Sequence, residues 1–487
     1  MSLTLSTDTA RSSLQATSEQ ISVVSRNIAR VHDADATRKI ATLVSGPGVG
    51  VSVPRIDRTS DQLLFNTYLT ANSASQAQTS ITSALGQLQS TVDDTDQEHS
   101  PAALIAKLSA TLQTYSGNPQ NPAVAASVVS AAKNVSNALN SASATVTQVR
   151  QQADADIATS VANINDLLSQ FENLNNQVIR GSSNGRDVTD VLDARDAVLK
   201  QLSTEVGIRT VSRANGDMAI YTDSGVTLFD RAPRAVTFEQ TQNLAAGAPG
   251  GAVYADGVPI AGTSHILEIQ SGKLAGLMSV RDDIAVTYQS QLDEMARGLI
   301  NAFAETDQSA TPTLPAATGL FTYSGGPAIP ASAMAGLASS IKINASVDPG
   351  QGGNAELIRD GGISGASYKY NSANAPAFTD RIQSLISSLN TGQTFDASTQ
   401  LPASSSVMDY AKNSVSWLEA LRQSATAEAD YRSTVAQRAT TSLSQATGVN
   451  LDEEMTNLLD LERTFQASSR LINTVNEMLS TLIQSLS

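Results

Sequence analysis

A chain of 487 residues is long enough for several domains, yet only 4% of it is aromatic and it has one Trp, so its apolar content suits long, thin helical cores rather than one large globule. The formal net charge of -15, from 46 acids against 31 bases without clusters of Lys and Arg, argues against nucleic acid or an anionic membrane as partner. The absence of cysteine excludes disulfides and thiolate chemistry; no run reaches transmembrane length, and the start lacks the pattern of a cleaved secretory signal.

Leu14, Ile21 and Ile28 recur every seven residues, with Val24 and Val31 beside them, which predicts a first helix ending near Val31. His32, Asp33 and Asp35 form a polar break, and Gly46-Pro-Gly-Val-Gly50 turns the chain into an alternating extended piece around Val51, Val53 and Ile56. Helical spacing follows from Asp61 through Leu64, Tyr68, Ile81, Leu85, Leu88 and Val92. After a charged gap at 93–98 it restarts at Pro101. Beyond Gly117-Asn-Pro119 and Pro122 a long helix runs to about Ile179. Gly181-Ser-Ser-Asn-Gly185 ends it, and Val191 to Leu202 make a short amphipathic helix.

After Val206 the apolar period changes from 3.6 to 2. With turns at Asn215-Gly216 and Asp223-Ser-Gly225, the stretch to Ile269 reads as a small β-domain. Helices resume from Leu274 to Phe303, at Ile382 to Leu389 and from Met408 to about Leu443; residues 308–375 are loop-rich.

The last stretch repeats the first signal. Leu451, Leu458, Phe465, Ile472, Leu479 and Leu486 step by seven, thickened by Met455, Leu461, Val475 and Leu482, with Asn450 placed to cap the helix. Ordering such a helix costs on the order of 1 kcal/mol per residue, and each large apolar side chain returns only roughly 1.5 to 3 kcal/mol on burial. It therefore needs partners, and the two terminal stripes are expected to pair with each other and with neighbouring copies. The expected fold is mainly α, a long discontinuous helical bundle with terminal coiled-coil helices and a small inserted β-domain. Its parts are a coiled-coil core (1–35 and 449–487), a helical rod (36–204 and 272–448) and an outward β-rich domain (205–271). The assembly interface is placed on Leu14, Ile21, Val24, Ile28, Leu451, Leu458, Phe465, Ile472, Leu479 and Leu486.

No catalytic, cofactor-binding or metal-ligating residues are assigned. His32, His99 and His265 lack metal-ligand spacing, and Gly181-Ser-Ser183-Asn-Gly185 matches a nucleophile elbow without the strand that should precede it. Asp187, Asp190, Asp193 and Asp196 recur every third residue but lack the glycine and spacing of a calcium loop. They read as a solvated helix face with Arg195 as local partner.

Thr447-Gly-Val-Asn-Leu-Asp-Glu-Glu454 and the apolar helix after it resemble the C-terminal signature of the flagellar hook-associated protein 1 family. Further similar stretches follow the family order: Gly50-Val-Ser-Val-Pro-Arg-Ile56; Ile164-Asn165 with Leu174-Asn175; Leu192-Asp-Ala-Arg-Asp196; and Gly272-Lys-Leu-Ala-Gly-Leu277 with Arg281-Asp282. One departure is that the Asn-Thr-Pro-Gly-Tyr type of segment after the first helix is replaced by Ser25-Arg-Asn-Ile-Ala-Arg30 and His32-Asp-Ala-Asp35. The resemblance implies a non-enzymatic, extracellular component of the bacterial flagellum, a ring-forming adaptor between hook and filament. The implied partners are copies of itself, hook protein, the second hook-associated junction protein and an export chaperone on the C-terminal helix. The resemblance also implies export through the flagellar type III apparatus without a cleaved signal. A hook or filament subunit, or a secreted binding protein or enzyme displaying the β-insert, are the alternatives.

Overall fold

In the computed structural model, the described residues are 3–46, 50–93, 99–262 and 267–486. Long helices dominate. Helix α1 spans Leu3–Ala29, and a hairpin of β1 (Lys39–Gly46) and β2 (Gly50–Arg58) follows. Then come α2 (Gln62–Gln89), α3 (Pro101–Gly117), α4 (Pro122–Ser183) and α5 (Thr189–Glu205). After the β-insert come α6 (Lys273–Ser279), α7 (Ala285–Ala302), the single turns α8 (Leu337–Ser340) and α9 (Leu357–Asp360), then α10 (Asp380–Asn390), α11 (Val407–Thr447) and α12 (Leu451–Leu486).

Local chemistry sets the helix boundaries. The Asp61, Ser100 and Asn121 side chains each accept a first-turn backbone N–H, and Pro101 and Pro122 occupy the first turns of α3 and α4. Helix α4, about 93 Å at 1.5 Å per residue, is the spine. Buried Val128, Val135, Leu139, Val146, Ile157, Ile164, Leu168 and Phe171 share one face at spacings of three, four, seven and eleven, and buried Ala125, Ala132, Ala142 and Ala153 admit close neighbours. Helix α7 is buried on almost every side, and the turn joining it to α6, Val280–Ile284, is one π-turn.

The β-insert is two small antiparallel sheets, one ordered β3 (Ile208–Ser212), β4 (Met218–Thr222), β5 (Thr227–Asp230), β6 (Ala232–Pro233), the other β7 (Val236–Phe238), β8 (Val253–Ala255), β9 (Val258–Ala261). The β3–β4 turn at Asn215-Gly216 takes positive φ at both residues (58° and 75°), as its sequence predicts. Polar residues of α4, α5 and the π-turn clasp the insert. Asn165 donates to and accepts from the Val236 backbone (2.8 and 3.0 Å), and buried Arg195 donates to Asn175 and to the Gly216 carbonyl (2.9 and 2.6 Å). Fully buried Arg281 donates to Asp154 (2.6 Å), Asp282 (2.8 Å) and the Gly251 carbonyl (2.7 Å), and Arg150 donates to the carbonyls of Ala245, Ala248 and Arg281. Ile266 and His265 lie outside the described residues.

Candidate assembly interface

Two contacts fix how the chain ends meet. The Ser13 and Ser468 hydroxyls are 3.3 Å apart, and Asn27 Nδ2 donates to Glu454 Oε2 at 3.0 Å, so α1 and α12 run antiparallel along one another. On α12 the buried or half-buried residues Glu454, Leu458, Leu461, Ser468, Ile472, Val475 and Leu479 step by four and three, with one gap of seven across exposed Phe465. That is the a/d geometry of a two-helix seam.

The sequence-placed interface residues therefore divide. Val24 is buried; Leu14, Ile21, Ile28, Leu458, Ile472 and Leu479 are half-buried. Phe465 and Leu451 remain 37% and 43% exposed, and the side chain of Leu486 lies outside the described residues. Met455, Leu459, Leu471, Met478 and Ile483 are also exposed, at 43 to 64%. Pairing with α1 thus leaves much of the apolar surface of α12 uncovered.

The Pro-Gly turn missing after α1 is replaced by side-chain chemistry. The Asp33 carboxylate accepts Arg30 Nη2 (2.9 Å) and the Asp35 backbone N–H (3.0 Å), and Asp33 and Ala36 close successive turns onto Arg30 and Asp33. The chain then returns along α1 as the β1–β2 hairpin. Asn27 bonds both backbone groups of Lys39, donating to its carbonyl (2.9 Å) and accepting its N–H (3.1 Å), while Ser12 Oγ accepts the Val51 N–H (3.1 Å). Arg38 donates Nε to Glu454 (2.7 Å) and pairs with Glu453 (2.9 Å). Asn450 caps α12 as expected, accepting the Asp452 N–H at 3.0 Å.

The aspartates of α5 correct the sequence reading. Asp193 is 1% exposed and Asp196 half-buried, while Asp187 and Asp190 stay partly in solvent; the row faces cations from the N-terminal segment rather than Arg195. Arg30, Lys39 and Arg58 all approach Asp193 at 3.3 to 3.5 Å, and Thr37 donates both its hydroxyl and its backbone N–H to it. Arg26 pairs with Asp187 (3.0 Å), Arg30 and Lys39 with Asp190, and Arg58 with Asp196 (2.7 Å). Burial pushes the Lys39 ammonium below its usual range despite Asp193, and burial raises the Asp196 carboxyl although Arg58 opposes it. Burial also disfavours the charged form of Asp187, but hydrogen bonds from Thr189 and Arg26 outweigh it and hold the group below the carboxylate range. Arg26 on α1 and Arg30 just past its end lie four apart, and the acids three apart from Asp187 into α5, a complementarity visible in sequence only once their pairing across some 160 residues is known.

Catalytic geometry does not emerge at the near-misses. Gly181 to Ser183 are the last turn of α4, so a helix precedes the serine, and His32 is exposed in the turn after α1. Among the described residues no group of three or more His, Cys, Asp or Glu could hold a metal ion, and no helix is long and apolar enough to cross a membrane.

Two family models match: the flagellar hook-associated protein FlgK helical domain over residues 85–314, and the flagellar basal body rod FlgEFG protein C-terminal region over 443–485. The flagellar hook-associated protein 1 of Bacillus subtilis (strain 168) is 24% identical over 514 residues, covering 98% of this chain and 97% of the relative. That of Salmonella typhimurium is 26% identical over 314 residues, 60% of this chain and 55% of the relative. A solved structure, the flagellar hook junction protein FlgK from Burkholderia pseudomallei, aligns with a TM-score of 0.43 and 22% identity over 53% of this chain and 46% of that one. With the helical-domain model spanning α4 and the β-insert, the C-terminal model lying on α12 and a similarity running end to end, this chain belongs to the flagellar hook-associated protein 1 family and is a structural component of the bacterial flagellum.

Proposed function

We propose that the chain is a non-enzymatic adaptor that assembles as a ring of identical subunits where hook meets filament, with α1 and α12 forming the subunit core and the rod and β-insert (205–271) surrounding it. The observation that carries this reading is the exposed apolar surface left on α12 after it has packed on α1. Neighbouring copies would cover it, with hook protein on one side of the ring and the second hook-associated protein on the other. Before assembly the same surface is an aggregation hazard, which gives an export chaperone on α12 its physical purpose; export would use the flagellar type III apparatus. Ile472→Asp places a charge in the seam and should block incorporation into flagella while the β-insert stays folded by circular dichroism. Incorporation at the wild-type level would contradict the reading. The second reading, another axial subunit, is favoured by the match of 443–485 to a model named for basal body rod proteins.

A further inference from the structure

Two apolar patches lie on opposite flanks of the terminal arm. On the hairpin, Ala41, Val51 and Ile56 are half-buried towards α1, while Val44 turns onto the outward face and Leu43, at the bulge where the β1–β2 register shifts, joins it. Leu43 and Val44 are 47 and 51% exposed. On α12, Leu451, Met455 and Leu459 recur every fourth residue and are 43, 43 and 52% exposed. At about 100° per residue this stripe lies roughly opposite Asn457, Asp460 and Thr464, which with Ile40 and Ala41 line the groove between α12 and the hairpin. The stripe therefore faces away from the hairpin of its own chain, beside the Lys39 end of β1, while Val44, paired with Ser52 next to the Val51–Ser12 contact, lies farther along the arm towards Ser468.

Two unlike patches pointing in opposite directions are what a head-to-tail contact between identical subunits needs, since each copy offers one patch to either neighbour. Charge has the matching sense. On the hairpin segment Arg38, Lys39 and Arg58 are already paired within the chain, with Glu453 and Glu454, with Asp190 and Asp193, and with Asp193 and Asp196, which leaves Arg55 as the exposed cation; α12 carries six acids against Arg463 and Arg470. Arg55 is 72% exposed on the outward face, beside its own partner Asp57, and Glu462 shares the helix flank of Met455 and Leu459. We propose that the outward face of the β1–β2 hairpin (Leu43, Val44) docks on the Leu451-Met455-Leu459 stripe of a second copy of this chain. The inference rests on the adaptor reading and names which surfaces meet in it.

The chain has no native cysteine, so introduced thiols report without background. Flagella from cells carrying the Val44→Cys and Leu459→Cys double variant, oxidised and run on non-reducing gels, should give a ladder of cross-linked multimers, and each single variant should stay monomeric. An incorporated double variant that stays monomeric, or a dimer from Val44→Cys alone, would overturn the docking and leave the adaptor reading standing; wild-type chain absent from flagella would overturn both. Independently, Val44→Asp should keep the thermal midpoint of the monomer yet lower the copies recovered with flagella at least tenfold. Recovery at the wild-type level would overturn the proposal.

Discussion

Asn27 Nδ2 donates to Glu454 Oε2 at 3.0 Å, joining the end of α1 to the start of α12 across 427 residues of sequence. Glu454 is 1% exposed and also accepts Arg38 Nε, so its removal takes a shared acceptor from buried Asn27 and half-buried Arg38. Replacing it by Ala should loosen the base of the helix pair by ~2 to 3 kcal/mol. Hydrogen exchange of the 454–461 amides would rise correspondingly, with α4 unchanged.

Asp193→Asn tests the charge cluster on α5. Arg30, Lys39 and Arg58 would lose their shared anion, and breaking a buried pair of this kind costs about 3 to 5 kcal/mol. Denaturant unfolding should show a loss approaching that range. Asp57→Asn, on an exposed pair with Arg55, should change stability by less than ~0.5 kcal/mol.

Those aspartates also mark where the sequence is silent. The heptads of both termini, the caps at Asp61, Ser100, Asn121 and Asn450 and the Asn215-Gly216 turn are short-range features, and each is readable from its own stretch. Asp193 is not. Its three-residue spacing suits a solvated face equally well, and only the return of the hairpin along α1 brings Lys39 and Arg58 over it. The same holds for Asn165, Asn175, Arg195 and Arg281. Their family resemblance is visible in sequence, but their work as clasps between α4 and the β-insert depends on contacts 20 to 127 residues away.

Arg281→Lys should release one side of the β-insert. A lysine cannot reach Asp154, Asp282 and the Gly251 carbonyl together, and no planar fork remains for Asp282. A loss of ~2 to 3 kcal/mol is expected, with faster limited proteolysis within 240–251 as the readout.

Asp293 gives the fold a pH signature. Burial pushes its carboxyl up to about 6, although the N–H groups of Ala338 and Gly336 and the Gln289 amide oppose the shift. The folded chain therefore holds this proton where the unfolded chain has released it. The stabilisation is complete below about pH 4 and is lost as pH rises through about 6, by roughly 3 kcal/mol for a shift of this size. Comparing the thermal stability of wild type and Asp293→Asn from pH 4 to pH 7 should show this component only in wild type.

The most direct test of the adaptor account is immunogold electron microscopy of the source bacterium, with antibody raised against residues 206–270. The account predicts a single gold cluster where hook meets filament. Gold along the whole filament, or flagella that stay unlabelled, would contradict it.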